Sequence, residues 1–416
     1  MHLTPIRLLC TALAAVLLSA CSAIEPPRDG NYSGLAAIGN APTPSAPPPS
    51  GPNDDACDVA QPTGICWYPA TAKFHPDGER LIINLCSNRR GATYYCRMVE
   101  YQVKTQRWSL VPGQQAGKSY LYPAYSNDGR SLVFVVDDCA NPWCRGGIGM
   151  GQLTTMPVQA GAGQAARYGA MQRLNVHGAT RPNFTPDDQS LVYWRWHHKA
   201  RLASGRTLGN VSIYRYTPQT DTEVHFIPSL YTDQVAAYFT VPMSAPHFSR
   251  DGKILRFVSR HDSSLGRGSS SLDQGFPDVE VHLSDGAYAG RWTSQVKEGL
   301  GRVFAEHPRL GYLAGPANLR LVDAKTLATT AVLLDPGYVW VADASINAAG
   351  SLVAAVSGIQ SKDDGTQGIR RDYWLYVDDA KDVRKKVRAA PVLALISLAT
   401  RDVSALEWPN VETLTP

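Results

Sequence analysis

Five times this chain closes a hydrophobic run with a tight turn built on Asp or Asn and Gly, and opens a second hydrophobic run directly after it. The copies are Phe74-His75-Pro76-Asp77-Gly78 before Leu81-Ile82-Ile83, Tyr125-Ser126-Asn127-Asp128-Gly129 before Leu132-Val133-Phe134-Val135, and Phe184-Thr185-Pro186-Asp187-Asp188 before Leu191-Val192-Tyr193-Trp194. Phe248-Ser249-Arg250-Asp251-Gly252 before Ile254-Leu255-Arg256-Phe257 and Ile346-Asn347-Ala348-Ala349-Gly350 before Leu352-Val353-Ala354 complete the set. The wording follows from hairpin chemistry: Pro or a short polar residue presets the first turn position, Asp or Asn bonds back to the backbone, and Gly takes the positive φ that closes the turn. Asp188 stands where the third copy lacks Gly, a substitution that Asp tolerates better than most residues.

Spacing turns the phrase into an architecture. The turns recur at intervals of roughly 50 to 65 residues from Gly78 to Gly252, and the longer gap to Gly350 holds a degenerate sixth copy around His307-Pro308-Arg309-Leu310-Gly311. Second hairpins follow the first within units, as in Met98–Val103 with Trp108–Leu110, Val211–Tyr216 with Val224–Phe226, and Val279–Leu283 with Tyr288–Trp292. Four short strands per unit of this length are the signature of a propeller blade, and a lone blade cannot bury both of its faces.

The pattern Pro-x-Phe-Ser-x-Asp-Gly-x-x-Leu-x-Phe is similar to the WD40-like repeat of the six-bladed TolB-type propellers, across most of residues 67–408. The resemblance implies an all-β fold, a six-bladed β-propeller of four-stranded antiparallel blades. Seven blades is the alternative, because Tyr373-Trp374-Leu375-Tyr376-Val377 reads as a strand although Leu393–Leu398 and Val403–Trp408 already supply a closing hairpin. The α/β domain that precedes the propeller in TolB has no counterpart here, so a shared fold is expected without orthology.

An address label stands in its place. Residues 1–20 read as a secretory signal, with Arg7 ahead of an apolar run from Leu8 to Leu18 that is too short for a bilayer span of ~20 residues. Leu18-Ser19-Ala20-Cys21 resembles a bacterial lipobox, which makes Cys21 the expected lipidation site. Two or more acyl chains give stable anchoring where one gives marginal binding. Residues 21–56, with Pro42, Pro44, Pro47, Pro48, Pro49 and Pro52 among Ser, Ala and Gly, form a disordered tether, and residues 57–416 form the propeller. The expected location is the bacterial outer membrane, with the head in the periplasm or at the cell surface.

Cysteine usage agrees with export. Beyond Cys10 and Cys21, six remain: Cys57, Cys66, Cys86, Cys96, Cys139 and Cys144. Locality pairs Cys57 with Cys66, Cys86 with Cys96 and Cys139 with Cys144, while the spacings lack the paired close-set ligands of zinc motifs. A net charge of +4 over 416 residues implies no large nucleic-acid footprint, so no nucleic-acid partner is expected.

Function is expected on the propeller face that carries the long loops, Asp137–Gly147, His197–Gly209, Arg260–Pro277 and Gly358–Arg371, with the link Ala160–His177. The opposite face carries only short turns. Elaborated loops on a rigid scaffold are where binding usually resides. Trp143, Arg145, His197, His198, Arg201, Arg206, His261, Arg267, Arg370 and Arg371 supply aromatic and cationic anchors of the kind that dominate binding hot spots. The expected activity is a monomeric, non-enzymatic binding or scaffold protein that holds an envelope protein or glycan and needs no cofactor. No Gly-x-Ser-x-Gly elbow is present. The alternative is an oligouronide lyase, since lyases with propellers of this repeat type hold a metal on channel histidines, and His177, His247 and His307 fall near the starts of innermost strands and could converge on the channel.

Overall fold

The structure is a computed structural model, and its description covers residues 67–87, 95–137, 151–159, 166–201, 207–227, 239–242, 244–261, 278–283, 290–292, 303–315, 319–334, 338–360, 371–378 and 383–415. The strands pair antiparallel, almost entirely in chain order. The first sheet is β1 (Trp67–Phe74), β2 (Arg80–Ser87), β3 (Tyr95–Gln102) and β4 (Arg107–Leu110). The second contains β5 (Ser119–Tyr125), β6 (Ser131–Asp137) and β7 (Gln152–Gln159), with two short pieces, β8 (Arg167–Tyr168) and β9 (Gln172–Arg173), both paired to β7. The third is β10 (Ala179–Phe184), β11 (Leu191–Arg201), β12 (Thr207–Thr217) and β13 (Thr222–Ile227). In the fourth, β14 (Phe239–Pro242) and β15 (His247–Phe248) share the innermost position beside β16 (Ile254–His261), followed by β17 (Asp278–His282) and β18 (Gly290–Trp292). Next come β19 (Val303–His307), β20 (Gly311–Ala314), β21 (Arg320–Val322) and β22 (Thr329–Val332). The last sheet holds β23 (Tyr338–Ile346), β24 (Leu352–Gln360), β25 (Arg371–Asp378), β26 (Val383–Ser397) and β27 (Val403–Ala405). Five sheets start on one unbroken innermost strand, and only in the fourth is that strand split.

Burial on both faces of each sheet explains why the strands read as near-continuous hydrophobic runs. Along β2, Leu81, Ile83 and Leu85 pack with Ala354, Val356 and Leu393 of the last sheet, whereas Ile82 points the other way into Leu132, Phe134 and Met156 of the second. Each such side chain removed from water contributes about 1.5–3 kcal/mol. The innermost strands lie side by side, β1 against both β5 and β23, β5 against β10, and β19 against β23. The sheets are therefore radial blades of an all-β propeller, and the first blade meets the last. The chain end reinforces that junction: the Trp408 indole donates to Trp67 O at 2.7 Å, and Val411 is buried in the same cluster.

The repeated phrase forms the turn between the first two strands of a blade. In each of the five copies the amide of the last phrase residue bonds to the carbonyl three residues back, as from Gly78 to His75 at 2.8 Å and from Gly129 to Ser126 at 3.0 Å. The Ser/Thr-x-Asp portion is a clamp. Ser126 Oγ donates to Asp128 at 2.6 Å and accepts from Ser131 N at 2.9 Å, while Asp128 also accepts from Arg130 N at 2.9 Å. Thr185 with Asp187 and Ser249 with Asp251 repeat this geometry. The hydroxyl donation, then the backbone N–H, hold all three carboxyls below the usual Asp range.

Two expectations need correction. The segment expected as a link, Ala160–His177, carries the outer pieces β8 and β9, because β7 offers an open edge after Thr154. The surplus strand at Tyr373–Val377 is not an extra blade. β26 is 15 residues long; its first half pairs with β25, and its second half lies between β24 and β27. The pair β25–β26 is thus a hairpin extension of the last blade.

Candidate functional site

The two rims of the propeller differ in kind. At the rim of short turns, each phrase grips its neighbour. His75 Nδ1 accepts from Asp77 N at 3.1 Å, which leaves Nε2 to donate to Gly129 O of the next blade at 2.9 Å. Asn127 N and Asp128 N donate to the Asp188 carboxylate at 2.8 and 2.9 Å, and Asn127 Nδ2 reaches both Asp188 and Thr185 O. His307 Nε2 bonds Ala348 O at 3.1 Å while its Nδ1 accepts from Arg309 N at 3.3 Å. Polar side chains here are occupied in holding turn to turn.

The opposite rim carries the longer hairpins. β11 and β12 are each 11 residues long and stay paired out to Arg201 and Thr207, so the stretch His197–Gly209, expected as a loop, is largely strand. Cys86 and Cys96 face each other across β2 and β3 and form a disulfide, as their spacing implied. His197 pairs with Asn210, His198 follows it, and Arg201 is the last rung of β11. His261 ends β16 opposite Phe239, and Arg371 opens β25 opposite Ala389. Trp143, Arg145, Arg206, Arg267 and Arg370 lie outside the described residues, as do Cys21, Cys57, Cys66, Cys139 and Cys144. Five of the ten expected contact residues thus fall on described strands: His197 and His198 within β11, Arg201 and His261 at strand ends, and Arg371 at the base of the β25–β26 hairpin.

Between the rims, the innermost strands carry a third set that the sequence did not single out. Thr71, Tyr122, Arg181 and Asp343 each stand four residues before the first residue of their turn, on β1, β5, β10 and β23. Strand register breaks at this level in β1, β5 and β10, and Tyr122 and Arg181 take the left-handed conformation at φ 55° and 51°. For such residues that costs about 1–2 kcal/mol. The Arg181 guanidinium stacks 4.5 Å above the Tyr122 ring. Asp343 accepts from Lys73 Nζ at 2.6 Å and from Ala72 N at 3.1 Å, and Ser345 bridges Phe74 N and Ala72 O, so the last blade satisfies the open edge of β1. Asn84 does the same for β5, through Tyr120 O at 2.8 Å and Tyr122 N at 3.2 Å.

The histidines expected to share a metal do not come together. His177 is exposed ahead of β10, where an innermost strand begins, whereas His247 opens β15 directly before a turn and His307 ends β19. His247 thus stands at a strand start as expected, whereas His307, expected near a strand start, stands at a strand end. Nδ1 of His307 is engaged in its own turn and Nε2 in that of the neighbouring blade, which is why it sits there. Among the described residues no group of three or more His, Cys, Asp or Glu is disposed to hold a metal ion.

Trp194 is a packing residue. It is fully buried edge-on to Phe257, with centroids 5.0 Å apart, and its indole donates to Ser244 O at 2.8 Å.

No protein-family model matches the chain, and no curated protein sequence matches it. Solved structures similar to it include an oligogalacturonate lyase from Vibrio parahaemolyticus, at 14% identity over 83% of this chain and 80% of that one, with a TM-score of 0.42. Others are prolyl oligopeptidase B from Galerina marginata (12% identity, 85% and 52% covered, TM-score 0.40) and a puromycin-hydrolysing peptidase from Mycobacterium tuberculosis (16% identity, 89% and 57% covered, TM-score 0.39). The chain spans about half the length of those two peptidases.

Proposed function

We propose that this protein is a binding module of the bacterial cell envelope, a six-bladed propeller of the TolB-like repeat type, anchored by lipid on Cys21 and holding a protein or glycan partner through its hairpin-bearing rim. The observation that carries this reading is the contrast between rims. Turn-rim polar groups are consumed in blade-to-blade bonds, as at His75, Asn127 and Asp188, whereas β11–β12 and β25–β26 project at the other rim. Rigid extended hairpins present side chains at lower ordering cost than free loops, which favours recognition. The blade count rests on six sheets, one for each of the five copies of the turn phrase and one for the degenerate copy at His307–Gly311, with β25–β26 assigned to the last blade.

The anchor places this rim within reach of envelope partners, because a Pro-rich tether of about 3 Å per residue where extended spans several tens of Å. Affinity capture of the mature head from envelope extracts tests the reading against a variant carrying Arg145→Ala, His197→Ala, His198→Ala and Arg201→Ala. Loss of the captured partner at unchanged thermal stability is expected; undiminished recovery contradicts the rim assignment. Mass spectrometry of the N-terminal peptide is expected to find acyl chains on Cys21, and an unmodified thiol there refutes the anchor.

A further inference from the structure

We infer that Arg181, stacked on Tyr122, is a carboxylate-binding site on the propeller axis, separate from the hairpin rim and independent of what that rim holds. Lys73 is paired with Asp343 at 2.6 Å and Glu306 with Arg256 at 3.0 Å, while Arg181 has no carboxylate partner among the described residues. Its Nε is buried without a hydrogen bond, and so is Thr71 Oγ1 at the equivalent level of β1. A buried donor left unpaired is costly unless a ligand completes it.

Backbone conformation points the same way. Tyr122 and Arg181 are both left-handed, on adjacent innermost strands and at equivalent positions, and strain of this kind clusters at ligand-binding sites. A guanidinium held over a ring face still offers N–H donors to a planar, two-oxygen acceptor. One positive charge without a carboxylate partner among the described residues suits a monoanion. A carboxylate fits both conditions, whether from a peptide C-terminus or from an acidic sugar.

Calorimetric titration of the full chain tests this with acetyl-trialanine and its C-terminal amide, and with a glucuronate disaccharide and its methyl ester. Binding of at least one carboxylate form is expected, weakened tenfold or more by Arg181→Gln and by raised ionic strength, with the neutral analogues inert; which form binds identifies the source. Arg181→Gly serves as the second variant. It relieves the left-handed side chain, so its melting midpoint is expected to hold or rise while carboxylate affinity falls at least tenfold. Failure of both carboxylates to bind at millimolar concentration, equal binding by the neutral analogues, undiminished binding by Arg181→Gln, or a lowered midpoint in Arg181→Gly each overturns the assignment.

Discussion

The two rims of this propeller are built from the same strands and do opposite things with them. At the turn rim, the loops are as short as hairpin chemistry allows, and their Ser, Thr, Asp, Asn and His side chains point into their own turn or the neighbouring one. At the other rim, strands run on past the body of the sheet, as β11–β12 and β25–β26 do, and a disulfide ties β2 to β3. A propeller needs one set of junctions to keep its blades in register, and concentrating them at one end leaves the other end able to vary. Conservation of turn chemistry along this sequence therefore marks the structural rim, and departures from it mark the rim where recognition is expected.

The largest break in this comparison is expected at Gly129. A Cβ there meets His75 Nε2 at 2.6 Å in a backbone at φ 73°, so Gly129→Ala combines overpacking with an incompatible conformation and is expected to destabilise by at least ~2 kcal/mol in urea denaturation. On the other rim, Cys86→Ala with Cys96→Ala opens a bridge of sequence separation 10, expected to cost about 2–3 kcal/mol. Hydrogen exchange should show that loss concentrated on β2 and β3, with the turn rim unchanged. Asp343→Asn weakens the Lys73 bond and the cap on Ala72 N, with an expected cost of about 1–3 kcal/mol. Asp188→Gly sharpens the comparison further. It removes left-handed strain but also the carboxylate that accepts three N–H bonds from the neighbouring turn, and a net loss of about 1 kcal/mol is expected where turn chemistry alone predicts a gain.

The smallest effect is acid sensitivity. Because the folded pKa values of Asp128, Asp187 and Asp251 lie below their ordinary value of 3.8, their contribution is complete above that value and is lost as pH falls through the folded pKa. Denaturation midpoints are expected to be flat above about pH 5 and to fall below pH 4, with the fall reduced in Asp128→Asn.

What was legible in the sequence was local. The turn phrase fixes its hairpins because every bond it needs lies within six residues, and Cys86–Cys96 followed from spacing for the same reason. The ring closure was not legible, since Asp343 and Lys73 are separated by 270 residues and neither lies in the phrase. Tyr373–Val377 read as a strand correctly, yet only the pairing of both halves of β26 decides that it extends a blade. Asp188 was read as a tolerated replacement for Gly, whereas its carboxylate joins two turns. Arg181 escaped notice because nothing in an ordinary Arg between Thr180 and Pro182 signals a left-handed backbone. A signal did exist in retrospect: Pro123 and Pro182 each follow a residue forced out of the right-handed helical region.

The rim assignment is tested most directly by placing a photo-crosslinking residue at His198 on β11, or at Lys253 in the fourth turn, and irradiating each protein in its native envelope. Adducts of one discrete mass from position 198, with none from 253, are expected. Adducts from 253 with none from 198 would place recognition on the rim that the turn phrase builds and contradict the account.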